Sequence, residues 1–201
     1  LYGRWLSDNL PDGVSKNKCL SNPKNGNDIL LSSKSSPLYF DRSKASGVKD
    51  IIAVEGLLDV AIPQALGDPS VVGFISANPA QSMIDTLVRH KISSVTLCLD
   101  PDKAGQEASF HCVRRLIEAG VQPFVMSLPK SKDGKMEDHD KFILANGMEA
   151  WRKLKSSAVH GLKFAAKHLF NGAETDRQKQ EAIAKAKLFA QRLKGYETEL
   201  S

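Results

Sequence analysis

Six acidic residues, in three groups along the chain, have the types and spacing to bind a divalent cation. Each group follows an apolar run of the kind that forms a buried strand. Carboxylates gathered at one place repel one another unless a cation lies among them, and oxygen ligands favour Mg²⁺ or Mn²⁺ over zinc. Two such ions can activate an attacking hydroxyl and stabilise the leaving oxygen in phosphoryl transfer. The six residues are Glu55, Asp59, Asp100, Asp102, Asp138 and Asp140.

Each acidic group also has an ordinary structural interpretation. An isolated Glu after a strand is usually a solvated surface residue. The motif 100–102 could begin a calcium-binding EF-hand loop, but Ala104 and His111 occupy positions where that loop needs ligands. Asp102 could also cap a helix that begins at Lys103. The combination of Glu-Gly after one strand and Asp-x-Asp-x-x-Gly after another is a more specific signal than any single residue.

The periodicity of the chain predicts a scaffold that brings strand ends together. Short apolar runs alternate with longer helical patterns, which indicates an α/β fold with a central, mostly parallel sheet flanked by helices. In such sheets the active site lies beyond the carboxyl ends of the strands. Strands are predicted at 51–54, 71–76, 93–99 and 124–128, and helices at 56–66, 79–91 and 103–119.

The two ends of the chain differ from this middle part. The first residues are rich in Ser, Asn, Gly and Lys, which predicts an irregular segment with short strands at 3–6 and 29–31. After Asp138 the pattern is entirely helical, with a predicted capping box formed by Thr175 and Gln178. We therefore divide the chain into a basic loop and strand segment (1–48), an α/β domain (49–147) and a C-terminal helical bundle (148–201).

Composition narrows the classes of function. The 201 residues carry a net charge of +5, which weakly favours a polyanionic partner. No apolar run is long enough for a membrane span, and we see neither an initiator Met nor a secretory leader, which suggests a segment of a longer protein. The three cysteines are far apart and form no CxxC pair, so we expect no disulfide and no zinc in this chain. They are Cys19, Cys98 and Cys112.

The acidic motifs resemble those of the Toprim superfamily, which includes bacterial primases, type IA and type II topoisomerases and some nucleases. The stretch 54–60 reads Val-Glu-Gly-Leu-Leu-Asp-Val and is similar to Val-Glu-Gly-Tyr-Met-Asp-Val of DnaG-type primases. The stretch 100–105 reads Asp-Pro-Asp-Lys-Ala-Gly and is similar to their Asp-Gly-Asp-x-Ala-Gly. Residues 138–140, Asp-His-Asp, correspond to their Asp-Pro-Asp, and Gly147 follows. Within the superfamily the chain most resembles the RNA polymerase core of these primases.

Basic residues near the start extend the resemblance. The stretch 3–6 is similar to Gly-Arg-Val-Leu of the family, and 18–23 is similar to Lys-Tyr-Leu-Asn-Ser-Pro. The resemblance implies that Arg4, Lys18 and Lys34 contact template or nucleotide phosphates, a role in which cations give affinity without sequence preference.

The chain also departs from the family pattern. Residues 76–79 read Ser-Ala-Asn-Pro where the family has Ser-Leu-Gly-Thr, so we expect this loop to contact substrate differently. We further expect the zinc-binding domain and the first part of the primase core to be missing from this chain.

The resemblance implies a metal-dependent nucleotidyltransferase that makes RNA primers on single-stranded DNA from ribonucleoside triphosphates. It implies that Glu55, Asp100 and Asp102 are the catalytic residues and bind Mg²⁺ or Mn²⁺. The other three acidic residues would extend the site toward a second ion or the nucleotide. A replicative helicase is an expected partner through regions outside this chain. The expected location is the cytoplasm, near the nucleoid, with no membrane partner.

Three other functions fit parts of the pattern. A Toprim nuclease would use the same ions to cleave a strand, but small nucleases of this type lack the basic segment upstream. A topoisomerase fragment would need a nucleophilic Tyr, and Tyr2, Tyr39 and Tyr196 lie in no recognisable context for one. A non-catalytic nucleic-acid-binding module that keeps only the fold is the third alternative.

Overall fold

The protein is represented by a computed structural model that describes residues 2–4, 17–19, 47–74, 81–99, 102–129 and 139–193. Two short strands near the start, β1 (Tyr2–Arg4) and β2 (Asn17–Cys19), pair with each other in antiparallel orientation. Five further strands form one sheet. They are β3 (Asp50–Val54), β4 (Val71–Gly73), β5 (Ser94–Leu97), β6 (Gln122–Val125) and β7 (Val159–His160).

Helices cover both faces of the five-stranded sheet. They are α1 (Leu57–Ala65), α2 (Gln81–Arg89), α3 (Lys103–Glu118), α4 (His139–Ser156), α5 (Gly161–Phe170) and α6 (Asp176–Leu193). Buried side chains of α2, α3 and α5 pack on one face, and those of α1 and α4 pack on the other. Helix α6 packs on the outside of α5 and α3. The predicted α/β fold is confirmed.

Strand β3 shows why the sheet lies between two helical layers. Ile51 and Ala53 face the core on the side of α2 and α3, and Ile52 and Val54 face the core on the side of α1 and α4. Successive side chains of a strand point to opposite faces, so a continuous apolar run is buried on both sides. This run is the signal by which the sequence predicts β3.

The order of the strands creates a crevice at one end of the sheet. The sheet runs β4-β3-β5-β6-β7; the first four strands are parallel, and β7 pairs with β6 in antiparallel orientation. From β3 the chain passes through α1 to β4 on one side, and from β5 it passes through α3 to β6 on the other. Ligands bind at such a reversal, beyond the carboxyl ends of the two strands. The reversal here lies between β3 and β5.

Two predictions about secondary structure are corrected. Strand β6 begins earlier than predicted, because Gln122 and Pro123 pair with Ser94 and Val95 of β5. The region after Asp138 is not entirely helical, because β7 adds an edge strand to the sheet. Val159 and His160 are both exposed and too few to give a periodic signal. The proposed domain boundaries stay predictions.

Helix α4 is interrupted, and α6 is capped as predicted. Gly147 within α4 has a φ of 79° and a ψ of 171°, a conformation that glycine adopts without steric cost. At the start of α6, the backbone N–H of Thr175 donates to Gln178 Oε1 over 2.9 Å, and the Gln178 N–H donates to Thr175 Oγ1 over 3.3 Å. This reciprocal pair is the predicted capping box. No helix within the described ranges is long and apolar enough to cross a membrane.

Candidate functional site

Glu55 lies at the carboxyl end of β3, beside the end of β5. Ala53 is opposite Leu97 in the parallel register, and the Cys98 N–H continues the ladder by donating to the Ala53 carbonyl over 2.8 Å. Two residues further along each strand, Glu55 is therefore level with Leu99, the residue that precedes Asp100. Glu55 is half-buried. The described backbone thus directs the first two acidic groups to the same edge of the sheet.

The Asp59 carboxylate folds back onto the start of α1. Its Oδ2 atom accepts a hydrogen bond from the backbone N–H of Gly56 over 3.0 Å, which stabilises the first turn of the helix. A Cβ atom on Gly56 would lie 2.6 Å from this oxygen. The Asp59 carboxylate thus occupies the space in which any other residue at position 56 would place its Cβ atom. The other oxygen, Oδ1, is directed toward the start of α4, where it lies 3.8 Å from His139 Nδ1.

Changing Gly56 to Ala is expected to displace the Asp59 carboxylate from the N–H it accepts from. The backbone at Gly56, with φ of −97° and ψ of 154°, is open to any residue, so the cost comes from this collision. We expect a loss of about 1 kcal/mol in the free energy of unfolding, as for a lost helix cap, measured by urea denaturation. The control is Gly56→Ala combined with Asp59→Ala, in which the added methyl group should cost nothing further. An equal additional loss in that background would contradict the explanation.

Asp102 caps helix α3, as one of the ordinary interpretations of the sequence proposed. Its Oδ1 atom accepts a hydrogen bond from the Gly105 N–H over 2.7 Å. The residue is exposed, and Oδ1 is the oxygen used by the cap. A carboxylate oxygen that accepts from a backbone N–H leaves its partner oxygen able to accept elsewhere. Capping and cation binding are therefore compatible at Asp102, as they are at Asp59.

A buried histidine links the start of α4 to Cys98, which follows β5, and lies near Asp59. His139 opens α4 and is only 3% exposed. Its Nε2 atom lies 2.9 Å from the Cys98 carbonyl oxygen and 3.2 Å from Cys98 Sγ. Because a carbonyl oxygen can only accept, Nε2 carries the hydrogen. The sequence shows that His139 lies between Asp138 and Asp140, but it does not predict that the ring is buried or that it contacts Cys98.

Trp151 packs against His139, and Asp68 accepts a hydrogen bond from Trp151. Nothing in the sequence indicated these contacts. The Trp151 ring is 0% exposed and meets the His139 ring edge to face, with centroids 6.3 Å apart. Trp151 Nε1 donates to Asp68 Oδ2 over 3.2 Å, and Asp68 Oδ1 accepts from the backbone N–H of Ser70 over 3.0 Å. The indole is thereby fixed at both its apolar and its polar end.

The negative charge of Glu55 affects the pKa of the Cys112 thiol. Burial raises the pKa of Cys112 from 9.0 to about 12; the positive charge of Arg115 lowers it, and the negative charge of Glu55 raises it. Cys112 lies on α3, which packs on the sheet face opposite α1 and α4. The Glu55 carboxylate is thus within electrostatic reach of that helix. Cys112 is a neutral thiol at physiological pH, so it is a packing residue and not a nucleophile.

The structure describes only part of the predicted set of site residues. Asp100, Asp138 and Lys34 lie outside the described residues. For Arg4, Lys18 and Asp140 the backbone alone is described: Arg4 and Lys18 lie on the paired strands β1 and β2, and Asp140 is the second residue of α4. Within the described ranges, no three His, Cys, Asp or Glu side chains are grouped closely enough to hold a metal ion.

The donor chemistry at this edge of the sheet nevertheless fits a hard divalent cation. Glu55, Asp59 and Asp102 offer carboxylate oxygens, the ligands that Mg²⁺ and Mn²⁺ prefer. Asp59 and Asp102 are each held by a backbone hydrogen bond through one oxygen, which restricts the position of the other. Asp100 directly follows the last described residue after β5. The residues present therefore suit such an ion.

Comparison with known proteins agrees with this arrangement. Residues 52–143 match the Toprim-like family model. The chain is 30% identical over 170 residues to a DNA primase of Clostridium acetobutylicum, which covers 84% of this chain and 26% of the relative. It is 27% identical over 184 residues to a DNA primase of Chlamydia muridarum, covering 89% of this chain and 29% of the relative. The chain thus spans less than a third of the length of these relatives.

Solved structures show the same fold. A DNA primase domain from Pseudomonas aeruginosa superposes with a TM-score of 0.74 at 23% identity, over 96% of this chain and 58% of that one. A DnaG primase catalytic domain bound to single-stranded DNA superposes with a TM-score of 0.70 at 22% identity, over 96% and 59%. Residues 52–143 are therefore similar to the Toprim-like family, and the chain has the fold of solved DnaG-type primase catalytic cores.

Proposed function

We propose that this chain is the catalytic part of a DNA primase, which joins ribonucleotides into a primer on single-stranded DNA. One observation supports the proposal: β3 and β5 are neighbouring parallel strands whose register sets Glu55 level with Leu99, the residue that precedes Asp100 in sequence. This is the place where an α/β sheet binds its ligands. The similarity to DNA primases supports primer synthesis as the reaction. The similarity to a primase catalytic domain bound to single-stranded DNA supports such DNA as the template.

The acidic residues would bind the divalent ions that this reaction needs. Glu55, Asp100 and Asp102 would hold them, and Asp59, Asp138 and Asp140 would extend the site. Such ions, when bound, lower the pKa of an attacking hydroxyl and offset charge on the transferred phosphate. In the reaction a primer 3′-oxygen forms a bond to the α-phosphorus of the incoming triphosphate. The bond to pyrophosphate breaks, and the hydroxyl proton leaves to water.

The chain's own backbone favours a phosphate at this edge of the sheet. Helix α1 begins directly after β3, and α3 begins soon after β5. The amino-terminal end of a helix carries partial positive charge, which attracts carboxylates and phosphates. Asp59 and Asp102 each occupy one N–H group there, at Gly56 and Gly105, so other N–H groups of the first turns would be the ones to meet a phosphate. Strands β1 and β2 hold the backbones of Arg4 and Lys18 in adjacent strands, and with Lys34 they would neutralise phosphates of template or nucleotide.

A primer-synthesis assay tests the proposal. The complete natural protein is incubated with single-stranded DNA, ribonucleoside triphosphates and Mg²⁺ or Mn²⁺, and labelled RNA products are separated by size. We expect short RNA products that depend on the template, disappear when EDTA removes the metal and return when metal is added in excess.

The rival functions give different results in this assay and in parallel assays of the same protein. Cleavage of the DNA without any RNA product would overturn the proposal in favour of a nuclease. Relaxation of a supercoiled plasmid would indicate a topoisomerase. A protein that shows none of these activities but retains DNA in a binding assay would be a non-catalytic module.

A further inference from the structure

The histidine at the start of α4 differs from the family motif that it occupies. Residues 138–140 read Asp-His-Asp, where DnaG-type primases have Asp-Pro-Asp. A proline restricts its own backbone but has no side-chain donor, whereas an imidazole can form hydrogen bonds at a distance. From this exchange and its contacts we infer that His139 is a positioning residue that aligns the acidic groups for metal binding. The inference rests on the proposed function.

The first support is the short contact between His139 and the end of β5. The 2.9 Å hydrogen bond from Nε2 ends on the carbonyl of Cys98, two residues before Asp100. The donor itself is flanked in sequence by Asp138 and Asp140. A single side chain therefore ties the backbone that carries the second acidic group to the backbone that carries the third.

The second support is the position of Asp59 on the other side of the His139 ring. Nδ1 lies 3.8 Å from Asp59 Oδ1, beyond hydrogen-bond length, so the ring and the carboxylate are neighbours without a direct hydrogen bond. Asp59 is fixed in turn by the Gly56 N–H. Asp59, of the first acidic group, thus lies beside the same imidazole that bonds to Cys98, and His139 itself stands between Asp138 and Asp140 in the sequence.

The third support is that this imidazole has little freedom to move. It is 3% exposed, and Trp151 closes one side of it edge to face. A buried side chain held by packing and by a hydrogen bond keeps the groups around it in one arrangement. Outer residues that orient metal ligands usually change metal affinity about 10- to 100-fold when they are replaced.

Two substitutions separate a positioning role from simple packing. His139→Leu keeps an apolar side chain of moderate size but removes the donor, whereas His139→Gln keeps an N–H donor near the position of Nε2. The matched control is Val113→Ala on the opposite face of the sheet, where a fully buried residue of α3 is shortened. All are made in the complete natural protein and measured below their melting temperatures.

Two readouts are taken without any catalysis. Calorimetric titration gives the Mn²⁺ dissociation constant, and hydrogen–deuterium exchange in EDTA reports the order of the first turn of α4. We expect His139→Leu to weaken Mn²⁺ binding about tenfold or more and to speed exchange at 139–143. His139→Gln should stay within about threefold of the wild-type affinity. Val113→Ala should lower the melting temperature but change neither readout.

The outcomes distinguish this inference from the proposed function. If wild-type protein binds Mn²⁺ and His139→Leu binds it equally well, His139 only fills the core and the inference is wrong. Equal losses in His139→Leu and His139→Gln would also overturn it, because the donor would then be irrelevant. A wild-type protein that binds no Mn²⁺ would overturn the proposed function, and the inference with it.

Discussion

Replacing Glu55 with Gln is expected to reduce primer synthesis by at least about 100-fold, which corresponds to about 2.7 kcal/mol of transition-state stabilisation. Gln keeps the shape of the side chain but removes the charge that would bind a divalent ion. Glu55 is half-buried at the reversal between β3 and β5, so we expect the neutral variant to fold. The measurement is the initial rate of RNA synthesis at saturating Mg²⁺, with circular dichroism to verify folding.

The control for Glu55 is the same chemical change at Glu149, an exposed residue of α4. Glu149→Gln removes one negative charge from the protein without touching the candidate site, so its rate should stay near that of wild type. A Glu55→Gln protein that keeps more than a tenth of the wild-type rate would show that this carboxylate is not a metal ligand.

Shortening Trp151 to Ala should produce the largest loss of stability. The indole is completely buried between the sheet and α4, packs against His139 and donates to Asp68. Removal of a buried Trp ring costs about 3–5 kcal/mol, a large part of the about 5–15 kcal/mol by which a typical domain is stable. The measurement is the free energy of unfolding from urea denaturation, and a loss below about 1 kcal/mol would contradict the prediction.

Trp151→Phe keeps the prediction testable if the Ala variant does not fold. Phe retains a ring in the core but cannot donate to Asp68 Oδ2, so we expect a smaller loss of about 1–2 kcal/mol. Trp151→Ala should also disturb the contact between His139 and Cys98. The first turn of α4 should then exchange faster in the Ala variant than in the Phe variant.

The sequence predicts the parts of the fold that carry strong periodic signals. Strands β3 and β5 are apolar runs buried on both faces, and α3 begins at an Asp cap and ends where Gly120, with a φ of 72°, follows. These features are local, so the predicted positions of the elements are close to the observed ones. The alternation of strands and helices predicts a parallel sheet, and it predicts that Glu55 lies at the edge formed by the carboxyl ends of the strands.

What the sequence does not predict depends on contacts between distant residues. The start of β6 is decided by pairing with β5, and β7 exists only because β6 offers it a partner. His139 is the clearest example at the candidate site: its neighbours in sequence suggest metal ligands, whereas its role depends on Cys98 and Trp151. No pattern over a short window contains these three residues together.

Both outer strands of the sheet are short: β4 has three residues and β7 has two. An open strand edge exposes N–H and C=O groups on which another chain can add a strand, and short edges limit how many such bonds can form. A foreign segment would gain few hydrogen bonds on either side of this sheet. The five-stranded sheet therefore disfavours self-association through its backbone.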